Sequence, residues 1–242
     1  MFGIKEAIQY TGCDAYSMNA VILPTVTNII LFMLVVYPYA NIDYNAIYHA
    51  DWNHPFLIFT TILGFIVLYF IWSSIARMIS KKLVVPITFG KCYNKLPTTL
   101  MLFAPNKFQK SKGYRDDILN SIMQDFNKTV KVKRTQIPTD EQAIVVSDIV
   151  GLIRKKVQQL PENKVYLIRN IRYGLIRNFI GGAIFAIALE GICFLLLGSI
   201  TQSQWILYFV QIGLLLTSWA YLPFCAKEYA IELYDNYLNL KR

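Results

Sequence analysis

The stretch that decides the fold is Asn178–Ile200, NFIGGAIFAIALEGICFLLLGSI, an apolar run with a single acid, Glu190, near its middle. A helix of about 20 apolar residues spans the ~30 Å hydrocarbon core of a bilayer, so this run predicts a membrane helix. An ionised carboxylate is costly there, because hydrocarbon offers it neither water nor hydrogen bonds. We therefore expect Glu190 to face protein or water, or to be protonated.

Three further runs have the same length and character. They are Ala20–Ala40, Pro55–Ile79 and Trp205–Ala226. Together the four runs predict a mainly α membrane protein whose four transmembrane helices form two hairpins. The first run is too long for the apolar region of a secretory signal, and acids precede it, so we expect it to remain in the mature protein.

The basic residues are concentrated between the two predicted hairpins. Residues 80–177 hold 19 of the chain's 24 Lys and Arg but only seven of its 15 acids. The loop that joins the first two membrane helices, NIDYNAIYHADWNH, contains neither Lys nor Arg. Because loops rich in Lys and Arg stay in the cytoplasm, the pattern predicts a multi-pass protein of the bacterial inner membrane with both termini cytoplasmic.

These boundaries divide the chain into five predicted segments. They are a cytosolic N-terminal segment (1–19), a first transmembrane hairpin (20–79), a basic cytosolic domain (80–177), a second transmembrane hairpin (178–226) and a cytosolic amphipathic tail (227–242). The tail has one apolar face, which predicts a further helix. That helix either packs on the cytosolic domain or contacts another subunit.

The cytosolic domain is predicted to be mixed but mostly helical. Its first part, between Val84 and Phe108, has β-rich runs separated by Pro and Gly, which favours a small strand pair or an extended segment. Two soluble helices then follow. The second has Thr139 and Gln142 at the spacing of a capping box, which places its start there.

A polar stripe on the fourth membrane helix is predicted to meet Glu190. Folding the second hairpin about Gln202 brings Glu190 level with Leu214, within a stripe spaced for one helix face. The stripe consists of Gln204, Tyr208, Gln211 and Ser218. In the first membrane helix, Asn28 predicts an interhelical hydrogen bond or a place in a pore wall.

We call Glu190, Gln211, Ser218, Tyr208 and Asn28 the polar seam. The sequence leaves three interpretations of this seam open. A protonated Glu190 that hydrogen-bonds to Gln211 or Ser218 would join the two helices. Alternatively, the same side chains line a hydrated path in an oligomer, where Glu190 contributes to a ring of acids that favours cations. The third interpretation is a proton relay.

The second candidate site is a set of cations in the cytosolic domain. They are predicted to hold an anionic ligand and comprise Lys91, Lys95, Arg154, Lys155, Arg169 and Arg172. Cations close to a bilayer also serve anionic lipid headgroups, which is the competing interpretation. Tyrosines lie among them, so a nucleotide or a short single strand held by charge and stacking is the ligand class that we predict. These tyrosines are Tyr93, Tyr114, Tyr166 and Tyr173.

Enzymatic activity is not predicted. No zinc-binding, nucleophile-elbow, paired-carboxylate or phosphate-loop motif is present, and His49 and His54 lie in the external loop, away from the cysteines. The four cysteines are not spaced as a metal site or a redox motif. We therefore predict no catalytic residues, no metal and no cofactor.

The layout of two membrane helices, a basic insert, two membrane helices and a short tail resembles that of small bacterial membrane effectors of antiphage defence. Three stretches resemble the membrane partner of Hailong-type systems, namely CYNKLPTTLMLF (92–103), YRDDILNSI (114–122) and RNIRYGLIRNFIGG (169–182). The resemblance implies an oligomeric channel that a nucleotidyltransferase partner, or its oligonucleotide product, holds closed.

Two functions follow as alternatives. The first is a membrane channel or pore-forming effector, gated by a cytosolic anionic ligand or partner protein. Four helices with few polar residues leave little room for a water path, so this function requires a homo-oligomer such as a tetramer. The second is a membrane-anchored scaffold or sensor that recruits a soluble partner without conducting ions.

Overall fold

The computed structural model of the chain describes residues 15–36, 55–90, 92–128, 138–158, 164–197 and 200–240. Every regular element in these ranges is helical. The α-helices are α1 (Leu23–Val36), α2 (Pro55–Ile79), α3 (Val85–Phe89), α4 (Pro97–Phe103), α5 (Lys112–Phe126), α6 (Asp140–Gln158), α7 (Lys164–Leu197) and α8 (Gln202–Asn239). A short turn (Ala15–Ser17), two π-helical segments (Met18–Ile22 and Ser80–Val84) and one 3₁₀ segment (Pro105–Phe108) complete the list.

Four helical stretches are long and apolar enough to cross a membrane. They are Met18–Val36, Phe59–Phe89, Lys164–Leu196 and Gln202–Asn239. Each overlaps one of the apolar runs of the sequence, and the chain is accordingly a membrane protein with transmembrane helices. The end of the first predicted run, beyond Val36, lies outside the described residues.

The strand pair or extended segment predicted between Val84 and Phe108 is wrong. The described part of this region has no strand and forms α3, α4 and the 3₁₀ segment instead. Pro97 and Pro105 occupy the first positions of α4 and of the 3₁₀ segment. Proline is favoured there because its fixed φ suits a helix start and its missing N–H costs no intrahelical bond. Pro86 is the second residue of α3, inside the continuous helical stretch Phe59–Phe89. The prolines that suggested breaks between strands therefore lie at the start of helical segments or within one.

The tail is helical, as predicted, but it is not a separate helix. It continues α8 without interruption to Asn239, and Pro223 is accommodated inside this helix. Likewise, α7 runs from Lys164 through the predicted start of the third membrane helix to Leu197. The predicted capping box is confirmed, since the Gln142 N–H donates to Thr139 Oγ1 (3.3 Å) and the Thr139 N–H donates to Gln142 Oε1 (3.0 Å).

The chain divides into two compact units. One comprises Met1–Ser80 and Leu175–Ala220, and the other comprises Lys81–Gly174 and Tyr221–Arg242. We call the first the membrane unit and the second the cytosolic unit. The second name follows the predicted orientation.

In the cytosolic unit the end of α8 supplies part of the core. Leu233, Tyr234 and Tyr237 are fully buried together with residues from α4, α5 and α6. The Tyr234 hydroxyl donates to the Thr98 carbonyl (2.9 Å), and the Tyr237 hydroxyl donates to Asp125 Oδ2 (2.8 Å). The tail thus packs on the insert, which is the first of the two interpretations drawn from the sequence.

In the membrane unit three hydrogen bonds meet at successive residues of α7. The Asn28 amide donates to the Phe179 carbonyl (3.1 Å), which is the interhelical bond expected of this residue. The Asn178 amide donates to the Ala20 carbonyl (2.6 Å), and the Ser80 hydroxyl donates to the Arg177 carbonyl (2.7 Å). Because Ala20 and Ser80 belong to the two π-helical segments, α7 contacts the widened turns of both neighbouring helices.

Two glycines allow this close approach. A Cβ on Gly181 would overlap the Ala76 carbonyl oxygen, and a Cβ on Gly182 would lie 2.5 Å from the Asn28 amide nitrogen. Small residues at such contacts let membrane helices pack backbone to backbone. Further along α7, the Phe185 ring packs edge-on against Trp72 at 4.9 Å between centroids. The membrane unit therefore has a specific core beside the segment that carries Glu190.

Candidate functional site

Glu190 is completely buried in the membrane unit. Its exposed fraction is 0%, and neither carboxyl oxygen has a hydrogen-bond partner among the described residues. The side chain that faces the carboxyl is Gln211 of α8, whose amide nitrogen is also buried and unpaired within the described part of the chain. Buried polar groups in folded proteins are nearly always paired, and a hydrogen bond between the Gln211 amide and the Glu190 carboxyl would pair both groups.

The level at which α8 meets Glu190 differs from the prediction by about one helical turn. The structure pairs Phe194 with Tyr208, whose ring centroids are 5.3 Å apart, and it sets Gln211 rather than Leu214 beside Glu190. The reason is that α8 begins at Gln202, so the chain reverses before that residue and not around it. Gln211 therefore faces Glu190, whereas Ser218 lies two turns further along α8.

The rest of the predicted polar stripe has structural roles in the described protomer. Gln204 is buried, and its amide donates to the Val35 carbonyl of α1 (3.0 Å) while its oxygen accepts from the Thr201 N–H (2.8 Å). Tyr208 is half-buried against Phe194. The stripe thus faces the interior of the unit over the turns from Gln204 to Gln211.

The second site is an arginine cluster in the cytosolic unit, which we define as Arg154, Arg169 and Arg172. Arg169 and Arg172, three residues apart on α7, both form ion pairs with Glu228 of α8, and the Arg172 contact measures 3.2 Å. Arg154 of α6 donates from Nε to the hydroxyl of Tyr229, the residue that follows Glu228 on α8 (2.8 Å). Three of the six predicted ligand residues therefore converge on two adjacent residues of α8.

The arginine cluster keeps an excess of positive charge that is accessible to solvent. The side chain of Arg172 is 42% exposed and that of Arg169 is 31% exposed, although both contact the same carboxylate. Arg154 is exposed as a residue. Three guanidinium groups beside one carboxylate leave a local charge near +2. Guanidinium groups bind carboxylates and phosphates with paired hydrogen bonds, so this surface has the chemistry of an anion site.

The remaining predicted cations are Lys91, Lys95 and Lys155. Lys95 and Lys155 are exposed, and Lys91 lies outside the described residues. Lys110, which is not one of the predicted ligand residues, forms an ion pair within the cytosolic unit, since its Nζ lies 2.8 Å from Asp235.

The tyrosines that were predicted to stack on bases are largely unavailable for stacking. Tyr166 is 1% exposed and Tyr173 is 8% exposed, and both pack against the ring of the buried Tyr229. Tyr114 donates its hydroxyl hydrogen to Asp235 (2.7 Å). Burial, together with this bond and the charge of Asp235, raises the pKa of Tyr114 far above its usual value, so it acts as a neutral donor. The geometry therefore favours recognition of charge over recognition of bases.

Sequence reasoning missed the acids of the tail as partners of the basic domain. Glu228 pairs with Arg169 and Arg172, and Asp235 pairs with Lys110. The distribution of charge along the sequence could have indicated this pairing, because a domain with a large excess of Lys and Arg is followed by a tail that carries several acids. In the described residues no group of three or more His, Cys, Asp or Glu is arranged to hold a metal ion.

Comparison of the chain with protein-family models, curated proteins and solved structures finds no significant match.

Proposed function

We propose that this protein is an oligomeric membrane channel or pore-forming effector, gated by a cytosolic anionic ligand or partner protein. The observation that supports the proposal most is that the same two helices carry both candidate sites. Helix α7 contains Arg169, Arg172 and Glu190, and helix α8 contains Gln211 and Glu228. A ligand that changes the contacts of the arginine cluster thereby acts on the helices that form the polar seam.

The arginine cluster is the proposed binding site of the gating ligand. An anionic ligand would compete with Glu228 for Arg169 and Arg172, and replacing an internal carboxylate by a ligand phosphate changes the contacts between α7 and α8. The role in antiphage defence, with a nucleotidyltransferase partner or an oligonucleotide ligand, is supported by the resemblance of the sequence stretches. Lys91, Lys95 and Lys155 are proposed to extend the same cationic surface.

Glu190 and Gln211, in the polar seam, are proposed to line the ion path when the channel opens. A membrane anchor needs no acid in its apolar core, and an unpaired buried carboxyl is costly there. Because Glu190 is buried inside the protomer, we propose that α7 and α8 separate when the channel opens, which exposes Glu190, Gln211 and Ser218 to water. Several chains then have to surround the path, with Asn28 and Tyr208 at its edges.

Ion flux through liposomes tests this proposal directly. Purified protein is expected to release a trapped cation in a manner that a polyanion, such as a short single-stranded oligonucleotide, changes. Glu190→Gln is expected to reduce cation flux about tenfold or more, because an acid in a pore wall concentrates cations. Asp148→Asn, at an exposed acid of α6, is the matched control and should conduct normally. Absence of flux under every ligand condition would contradict the channel.

The two sides of the arginine cluster give predictions of opposite sign. Arg169→Gln with Arg172→Gln should weaken the response to the anion by roughly 10²- to 10⁴-fold, since two charge-assisted hydrogen bonds are lost and each contributes roughly 1.5–3 kcal/mol. Glu228→Gln should strengthen the response, because it removes the internal competitor. A titration of flux against anion concentration measures both, and Lys112→Glu, on an exposed lysine, is the control. If all of these variants weaken the response equally, the cluster is only structural.

The alternative function, a scaffold or sensor that does not conduct, is favoured by the complete burial of Glu190. In that case the carboxyl only joins α7 to α8. Glu190→Gln should then leave recruitment of a soluble partner intact, whereas Arg169→Gln with Arg172→Gln should abolish it. The flux experiment separates the two functions, because a scaffold conducts under no condition.

A further inference from the structure

Among the residues that the structure describes, the surroundings of Glu190 contain no charge that could neutralise a carboxylate. Within Met18–Val36 and residues 178–226, Glu190 is the only residue with a formal charge. In α2 the only basic residue is Arg77, which is exposed and follows Ala76, the residue level with Gly181. Nine residues of α7 separate Gly181 from Glu190, which corresponds to about 13 Å of helix. Within the described part of the chain, the acid therefore has no counter-charge at its own depth.

The polar groups near this depth are few and neutral. Gln211 of α8 faces the carboxyl, and Tyr208, one turn away on the same helix, lies close to Gly191. Helix α7 adds the thiol of Cys193, and α2 adds the hydroxyl of Tyr69 at a similar depth. Helix α1 brings no titratable side chain. None of these groups carries a positive charge, so an anionic Glu190 would be stabilised by dipoles alone.

We propose that Glu190 is a proton-binding site sealed from water. In the closed protein at neutral pH its carboxyl carries a proton, and the Gln211 side chain faces this neutral acid. A buried acid without a counter-charge avoids the cost of desolvating a full charge by remaining protonated. The proposal goes beyond conduction, because a scaffold that never opens would hold the same proton.

Infrared spectroscopy of the full-length protein tests the protonation state directly. A difference spectrum, wild type minus Glu190→Gln, is recorded in liposomes at neutral pH. We expect a positive carbonyl band of a protonated carboxylic acid, which shifts in heavy water and is lost in the variant. Bands of an ionised carboxylate in its place would overturn the proposal. The substitution is nearly isosteric, and Asp148→Asn serves as the control that removes an exposed acid from the cytosolic unit.

Chemical modification of the wild-type protein tests the exclusion of water. Dicyclohexylcarbodiimide, which partitions into lipid and reacts with protonated carboxyls, is expected to add one label at Glu190, detected by peptide mass spectrometry. A water-soluble carbodiimide is expected to label the cytosolic acids and to spare Glu190. Labelling of Glu190 by the water-soluble reagent at an equal or higher rate than by the apolar one would overturn the sealed site. Neither readout depends on ion flux, so a failure of this proposal can be distinguished from a failure of the channel proposal.

Discussion

Gly181→Ala is expected to destabilise the membrane unit by about 1–3 kcal/mol, the usual cost of overpacking a tight contact. The added Cβ would overlap the carbonyl oxygen of Ala76 and crowd the Ser80 hydroxyl, which donates to Arg177. Backbone atoms cannot move aside as a flexible side chain can, so α7 and α2 have to separate. Thermal unfolding in detergent, followed by tryptophan fluorescence, measures the change because Trp72 packs in this contact.

Gly213→Ala is the matched control for this prediction. Gly213 lies in a membrane helix of the same unit, but a Cβ there would meet nothing within 4 Å. Alanine is favoured over glycine in a helix by up to ~1 kcal/mol, so the control should be neutral or slightly stabilising. Equal destabilisation by both substitutions would show that the contact between Gly181 and Ala76 is not as close as the structure has it.

Tyr234→Ala is expected to destabilise the cytosolic unit by about 3–5 kcal/mol, which is the cost of deleting a large buried ring. Tyr234 is 0% exposed, and its hydroxyl donates to the Thr98 carbonyl of α4. The deletion leaves a cavity and removes one hydrogen bond between α4 and the end of α8. Hydrogen exchange of the full chain in detergent should show loss of protection in α4 and in the last turns of α8.

Two further variants separate the ring from its hydroxyl and from the surface. Tyr234→Phe keeps the ring and loses one hydrogen bond, so it should cost only about 1 kcal/mol. Asn239→Ala, at an exposed position of the same helix, should change nothing measurable. If Tyr234→Ala instead dissociates an oligomer while protection within the chain is unchanged, the tail is a contact between subunits.

The membrane helices could be predicted from the sequence because the signal is local. A run of about 20 apolar residues has one stable solution in a bilayer, a helix that satisfies its own backbone. The capping box at Thr139 was predictable for the same reason, since its atoms lie within one turn. The region around Pro97 and Pro105 was not, because proline fits a helix start as well as a strand break.

The sequence by itself determined that the chain enters a membrane, that its charge lies between the apolar runs, and that Glu190 needs a polar or protected environment. Only the tertiary structure decided which residues meet. It set Gln211 beside Glu190, paired Arg169 and Arg172 with an acid of the tail, and buried Tyr166 and Tyr173. The physical reason is the range of the interactions. Hydropathy and capping act within one helix, whereas the pairing of residues between helices depends on the position at which the chain reverses direction.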